Sequence, residues 1–138
     1  MIVVDASVAF KRYVPEEDAD LARDLVSSGR RLVAPELVLA EVANACWKLL
    51  RRGALSPAQH ARIASALPRP FEELVRLAVL LPRAGAISVS LDHPIYDCFY
   101  IALSEAQSAP LVTVDSRLLA KARGTPFQVV SLRSLNSD

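Results

Sequence analysis

The sequence predicts a single α/β domain in which a central parallel sheet lies under helices. Three observations predict it. The runs IVV at 2–4 and LVTV at 111–114 are short, apolar and rich in β-branched residues, the pattern of strands buried on both faces of a parallel sheet. Between such runs stand stretches with apolar residues at helical spacing, so strands alternate with helices along the chain. The 138 residues suffice for one compact domain, 1–138, with no room for a second folding unit.

Taken in order, IVV ends at Asp5, and ASVAFKRYV at 6–14 reads as a short helix. EEDADLARDLVSSG at 16–29 predicts another, with acids in its first turn, where the helix dipole favours them, and Gly29 as its stop. RLVA at 31–34 returns as a strand. PELVLAEVANACWKLLRRG at 35–53 carries the strongest helical signal: Pro35 at the first helical position, apolar residues at 38, 42, 45, 46 and 49, a basic last turn, and Gly53 beyond it. SPAQHARIASAL at 56–67 opens with the helix-start pair Ser56 and Pro57. Over 71–91 the pattern is ambiguous. FEELVRL suits strand or helix, and ISVS at 87–90 has strand propensity among neighbours that suit a helix. Asp92 as a cap and Pro94 in the first turn introduce the helix IYDCFYIALSEAQS at 95–108, with apolar residues 95, 98, 99, 102 and 103 on one side. LVTV ends at Asp115, SRLLAKARG at 116–124 is the helix that follows, and FQVVSL at 127–132 is the last strand.

Composition excludes several classes. Apolar residues make up 52%, but with only four Phe, one Trp and three Tyr the core is expected to be Ala, Val, Leu and Ile; disorder is excluded. Apolar runs such as LAVLL at 77–81 fall far short of the roughly 18 to 20 residues that cross a bilayer. MIVVDAS has no basic leader before its apolar stretch, so a cytoplasmic location is expected. Sixteen basic and fifteen acidic residues leave a net charge of +1, which predicts neither DNA coating nor membrane adhesion. Cys46 and Cys98 lie in apolar helical stretches and read as reduced core residues.

Function must therefore lie in placement. Ligands of open α/β sheets bind at the carboxyl ends of strands, where Asp5 and Asp115 follow IVV and LVTV. Each acid also precedes a helix, so capping is the better account of either alone, and only the pair on one rim points beyond it. Glu41 is one of two polar residues in LVLAEVANAC, the other being Asn44, and is expected at the edge of a buried face. Asp97 opens a helix between Ile95 and the pair Cys98 and Phe99, with no Lys or Arg at helical spacing to pair with it. Buried carboxylates are costly unless paired or bound to metal. Four acids from four elements, all with oxygen donors, would select a hard cation such as Mg²⁺ or Mn²⁺ and suit phosphodiester hydrolysis.

Other chemistries fit less well. His60 and His93 are the only histidines and there is no Cys-x-x-Cys, so a zinc site is not expected. Glycines at 29, 53, 85 and 124 are too scattered for a Walker loop or dinucleotide fingerprint. A phosphoryl-accepting receiver domain would want paired acids after its first strand and a Lys after its last, and an Asp-x-Asp phosphatase would want an acid where Ser7 stands.

The segments VVDASVAFKRYVPEE, APELVLAEVANACWKLLRRG, HPIYDCFYIALSEA and LVTVDSRLL, in this order and spacing, resemble the PIN-domain family, and within it the VapC-type toxins of toxin–antitoxin pairs. The resemblance covers nearly the whole chain. It implies a PIN-like three-layer α/β/α sandwich, a helical stretch after Pro82 despite ISVS, and a metal-dependent endoribonuclease. In that reading Asp5, Glu41, Asp97 and Asp115 hold Mg²⁺, with Mn²⁺ as a substitute, and Ser7, Asn44 and Thr113 support them. Many relatives carry a further acid near the fourth carboxylate. Here the neighbours of Asp115 are Val114 and Ser116, which leaves a second metal short of a ligand. The implied partners are RNA, a small antitoxin that lays an apolar segment on the helices and sets a cation in the acidic pocket, and a second copy in a homodimer. A mean hydropathy of +0.28 agrees with covered apolar surface. Arg12, Arg30, Arg31, Arg51 and Arg52 are candidates for the RNA backbone. A PIN-like module that binds RNA or protein without cutting is the alternative.

Overall fold

Five short strands, β1 (Ile2–Val4), β2 (Leu32–Pro35), β3 (Glu73–Val75), β4 (Leu111–Thr113) and β5 (Val129–Ser131), pair in parallel throughout in the order β3-β2-β1-β4-β5. The computed structural model describes residues 1–135. The helices between strands are α1 (Ala6–Lys11), α2 (Ala19–Ser27), α3 (Leu37–Arg51), α4 (Pro57–Ala66), α5 (Leu77–Leu91), α6 (Ile95–Gln107) and α7 (Ser116–Ala122), and α8 (Leu132–Leu135) follows β5. Each crossover from strand to parallel strand needs such an intervening segment, which accounts for the alternation read from the sequence. Every residue of β1, β2 and β4 is buried, as fully apolar strands covered on both faces must be. Val3, Val33, Val38, Ile87, Leu111 and Leu118 belong to the core, and Cys46 and Cys98 are buried free thiols.

The structure revises several boundaries. Pro35 ends β2 rather than opening a helix: it pairs in register with Val75, the Glu36 N–H bonds Val75 O at 2.8 Å, and α3 starts at Leu37. A residue without an N–H is tolerated at that strand end as readily as in a first helical turn. Asp92 closes α5 instead of opening α6. Its φ is 51°, and its N–H donates to the Ser88 and Val89 carbonyls, a left-handed cap that Asp tolerates better than most residues. The first predicted helix stops at Lys11 and the second begins only at Ala19, after Asp18 at φ 68°. FEELVRL resolves into β3, and FQVVSL into β5 followed by the single turn α8.

The stretch after Pro82 is helical, as the family resemblance implies, and α5 runs from Leu77 through Pro82 to Leu91. Ile87 is fully buried while Val89 is 85% exposed, a difference that strand alternation would not give. α6 is buried more widely than a single stripe, with Cys98 to Ser104 all inside, because α5 packs over it as it crosses β1 and β2. Among the described residues no helix is long and apolar enough to cross a membrane.

Candidate active site

β1 and β4 are neighbours in the sheet although more than a hundred residues separate them, and from this pair the strand order runs outward in opposite directions. Such a reversal opens a crevice beyond the carboxyl ends of the two strands. Asp5 follows β1 directly, and Thr113 ends β4 two residues before Asp115. The register Val4 with Val112 sets these two strand ends side by side.

Asp5 is 5% exposed and surrounded by donors. Ser7 Oγ donates to its Oδ1 at 2.6 Å and the Val8 N–H at 3.1 Å, while the Thr113 hydroxyl donates to Oδ2. Thr113 Oγ1 in turn accepts the Asp115 N–H at 3.0 Å, and Ser7 Oγ accepts the Val114 N–H at 3.3 Å. Ser7 and Thr113 therefore both hydrogen-bond the first carboxylate, and they tie the β1 end to the β4 end. Burial pushes the Asp5 carboxyl up to about 6 although Ser7, Thr113 and Val8 pull it back, and the charge of Asp97 adds to the rise.

Glu41, half-buried on α3, accepts the Tyr100 hydroxyl on Oε1 at 2.6 Å. Its carboxyl is raised by burial, lowered by that hydrogen bond and raised again by the charge of Asp97. Asp97, in the first turn of α6, receives a ring nitrogen of His93 on Oδ2 at 2.7 Å. Asp5, Glu41 and Asp97 thus share one electrostatic neighbourhood. Asp115 caps α7, its Oδ1 accepting the Arg117 and Leu118 N–H groups at 2.9 and 3.3 Å, and it reaches the others through Thr113. Asn44 lies exposed one turn along α3 and hydrogen-bonds none of the four acids.

Sequence reasoning missed Tyr100 and His93. His93 stands four residues before Asp97, a helical spacing at which a histidine can reach a carboxylate as a Lys or Arg would. Tyr100 is 1% exposed, and only its polar handle among apolar neighbours hinted that it needs an acceptor. Burial and the adjacent carboxylates hold its phenol well above the ordinary range.

The donor set is all oxygen. Among the described residues Asp5, Glu41 and Asp115 have no cationic partner, and Glu41 Oε2, Asp97 Oδ1 and Asp115 Oδ2 accept no hydrogen bond. Asp5 and Glu41, each raised by burial and by the charge of Asp97 and without a cationic partner among the described residues, offer the oxygen donors that a hard divalent cation takes. As the side chains stand, no group of three or more His, Cys, Asp or Glu among the described residues encloses an ion position. Of the candidate phosphate ligands, Arg31 is held bidentately by Glu72 at 2.6 and 2.9 Å, Arg12 bonds the Tyr13 hydroxyl, Arg51 lies over the Trp47 ring, and Arg30 and Arg52 are exposed.

The sequence model of the PIN domain family matches residues 2–124. Ribonuclease VapC3 of Pyrobaculum aerophilum is 35% identical over 122 residues, which is 87% of this chain and 93% of that protein. A crystal structure from the same organism superposes with a TM-score of 0.69 at 26% identity, covering 97% of this chain and 90% of the other. A chain of a toxin-antitoxin complex from Klebsiella pneumoniae gives 0.72 at 15% identity, covering 96% and 98%.

Proposed function

The chain belongs to the PIN domain family, and from that premise we propose that it is a metal-dependent endoribonuclease, the toxin of a toxin–antitoxin pair. Asp5, Glu41, Asp97 and Asp115 would hold Mg²⁺, for which Mn²⁺ can substitute. The observation that carries this reading is Asp5. It is a carboxyl buried at the strand-order reversal, held by neutral donors, raised to about 6, and lacking any cationic partner among the described residues. When bound, a hard cation activates water and stabilises the leaving oxygen in phosphodiester hydrolysis.

The protein's own contribution is orientation. Ser7, Val8 and Thr113 hold both oxygens of Asp5, so its carboxylate keeps one rotamer. The α7 cap holds Asp115, Tyr100 holds Glu41, and His93 holds Asp97. None of these contacts comes from a Lys or Arg side chain, which leaves the crevice negative and ready for a cation beside an RNA phosphate.

The proposed partners are RNA, supported by the ribonuclease relative, a small antitoxin, supported by the similarity to a chain of a toxin-antitoxin complex, and a second copy of this chain. Trp47, Val79, Leu81, Val89 and Tyr96 are large apolar side chains exposed to solvent, consistent with a homodimer and an apolar antitoxin segment. The test is cleavage of total cellular RNA by the purified protein. Activity that needs Mg²⁺ or Mn²⁺, disappears in EDTA and is lost in Asp5→Asn bears the proposal out. Undiminished cleavage by Asp5→Asn rejects the metal site. No cleavage by the native protein favours a PIN-like module that binds without cutting. Sequencing of 5′ ends after brief induction in cells identifies the RNA.

A further inference from the structure

We propose that Tyr100 is a positioning residue of the metal site, fixing Glu41 so that its second oxygen faces the crevice. The proposal rests on the metal-dependent reading above and adds to it a residue outside the four acids. Tyr100 lies one turn beyond Asp97 on α6, and its hydroxyl crosses to α3 to donate to Glu41 Oε1 at 2.6 Å. This is the sole hydrogen bond that Glu41 accepts among the described residues.

A glutamate has three side-chain torsions, and holding it in one rotamer costs conformational entropy. Asp5 and Asp115 are shorter and are fixed by backbone N–H groups. Glu41 sits inside a helix, where the N–H groups are used by the helix itself, so a side chain from another element has to orient it. Tyr100 suits that task because its ring is clamped by the core at 1% exposure and leaves the hydroxyl little freedom. The bond occupies Oε1, and Oε2 is left without a hydrogen bond, so the donor and a cation do not compete for one atom. Tyr100 and Asp97 share a helix, so the contact also sets the distance between α3 and α6, which carry two of the four acids.

Tyr100→Phe removes the hydroxyl and keeps the buried ring. With Mg²⁺ as the probe, the midpoint of its stabilising effect on thermal unfolding is measured for the native protein, Tyr100→Phe, Glu41→Gln and the double variant. Circular dichroism confirms that each is folded. The expected result is a midpoint about ten-fold higher in Tyr100→Phe, with cleavage at saturating Mg²⁺ recovering most of its native kcat. On a Glu41→Gln background, Tyr100→Phe should change the midpoint no further. A native midpoint retained in Tyr100→Phe, or equal effects with and without Glu41, overturns the proposal while leaving the metal reading intact. No Mg²⁺ response in the native protein overturns both. Should Tyr100→Phe fail to fold, Tyr100→Met removes the hydroxyl with a smaller, adaptable apolar side chain, and the same midpoint decides.

Discussion

Replacing Asp5 by Asn should reverse its effect on stability between acid and neutral pH. A carboxyl raised from 3.8 to about 6 is less easily ionised in the fold than in the unfolded chain, by about 3 kcal/mol. Below pH 3.8 the group is protonated in both states and costs nothing. As pH rises towards and through 6, the unfolded chain has already released the proton that the folded protein still holds. Stability is therefore lost over that interval and stays lost above it, as long as no cation is bound. Asparagine carries no such penalty, but its bonds are not those of the acid. Oδ1 keeps Ser7 and the Val8 N–H, whereas the amide nitrogen now faces Thr113, whose hydroxyl must turn and accept while it already accepts the Asp115 N–H. A compromised hydrogen bond costs about 1 kcal/mol.

At pH 4, just above the unfolded-state value, part of the penalty is already felt, so Asp5→Asn should be about 0.5 kcal/mol less stable than the native protein there and about 2 kcal/mol more stable at pH 7, a gain of roughly 6 °C in Tm at this size. Thermal melts in EDTA from pH 4 to pH 8 measure the difference directly. Glu41 and the other acids titrate in both proteins and largely cancel from it. Adding Mg²⁺ at pH 7 should then raise the Tm of the native protein more than that of the variant. A difference between the two melts that does not change with pH refutes the reasoning, because the variant would then act through packing alone.

Asp115→Asn keeps an oxygen to accept the Arg117 and Leu118 N–H groups and should leave stability within about 0.5 kcal/mol, whereas Asp115→Ala should lose about 1 kcal/mol; RNA cleavage should vanish in both, as melts and a cleavage assay will record. Ile87→Ala should cost about 2–5 kcal/mol in urea unfolding and Val89→Ala no more than about 0.5, since the first side chain is enclosed and the second lies in solvent. Cys98, its thiol pushed up to about 11 by burial and by Asp97, and Cys46, raised by burial, should resist alkylation at pH 8 and react fully once the protein is unfolded.

The parts of the fold legible in the sequence were those in which local pattern and tertiary environment agree. IVV and LVTV are uncharged and, Thr113 apart, apolar because β1 and β4 are buried throughout, so composition alone identifies them. β3 is an edge strand of three residues with Glu73 exposed, and nothing in FEELVRL separates it from a helical turn. ISVS alternates like a strand, and its helical state depends on Ile87 packing over α6, a contact between elements that no local window contains. Proline and aspartate misled for a related reason. Pro35 and Asp92 each satisfy rules for both ends of an element, and only the neighbouring strand or the preceding carbonyls decide which rule applies. At the site, Asp5 and Asp115 stood out because they interrupt apolar strands. Tyr100 and His93 did not, since their value comes from Glu41 and Asp97 across a turn or a helix interface.

Capping and metal binding, which compete as explanations of an Asp between strand and helix, make compatible demands on a carboxyl group. A cap needs one oxygen pointed at the first-turn N–H groups, and Asp115 spends only Oδ1 on this. The remaining oxygen is then held in a fixed direction at no further entropic cost, which is what a ligand requires. Asp5 follows the same logic more completely, with the Val8 cap and Ser7 on one oxygen and Thr113 on the other. Had the fold oriented these acids with Lys or Arg, each contact would have cancelled the charge a cation needs. Hydroxyls and backbone N–H groups orient without cancelling, and of the partners found here only His93 can carry a charge at all. Burial first, and then the charge of Asp97, raise the Asp5 carboxyl to about 6 against the pull of its hydroxyl and N–H donors, and this is the penalty that a metal-free fold carries at neutral pH.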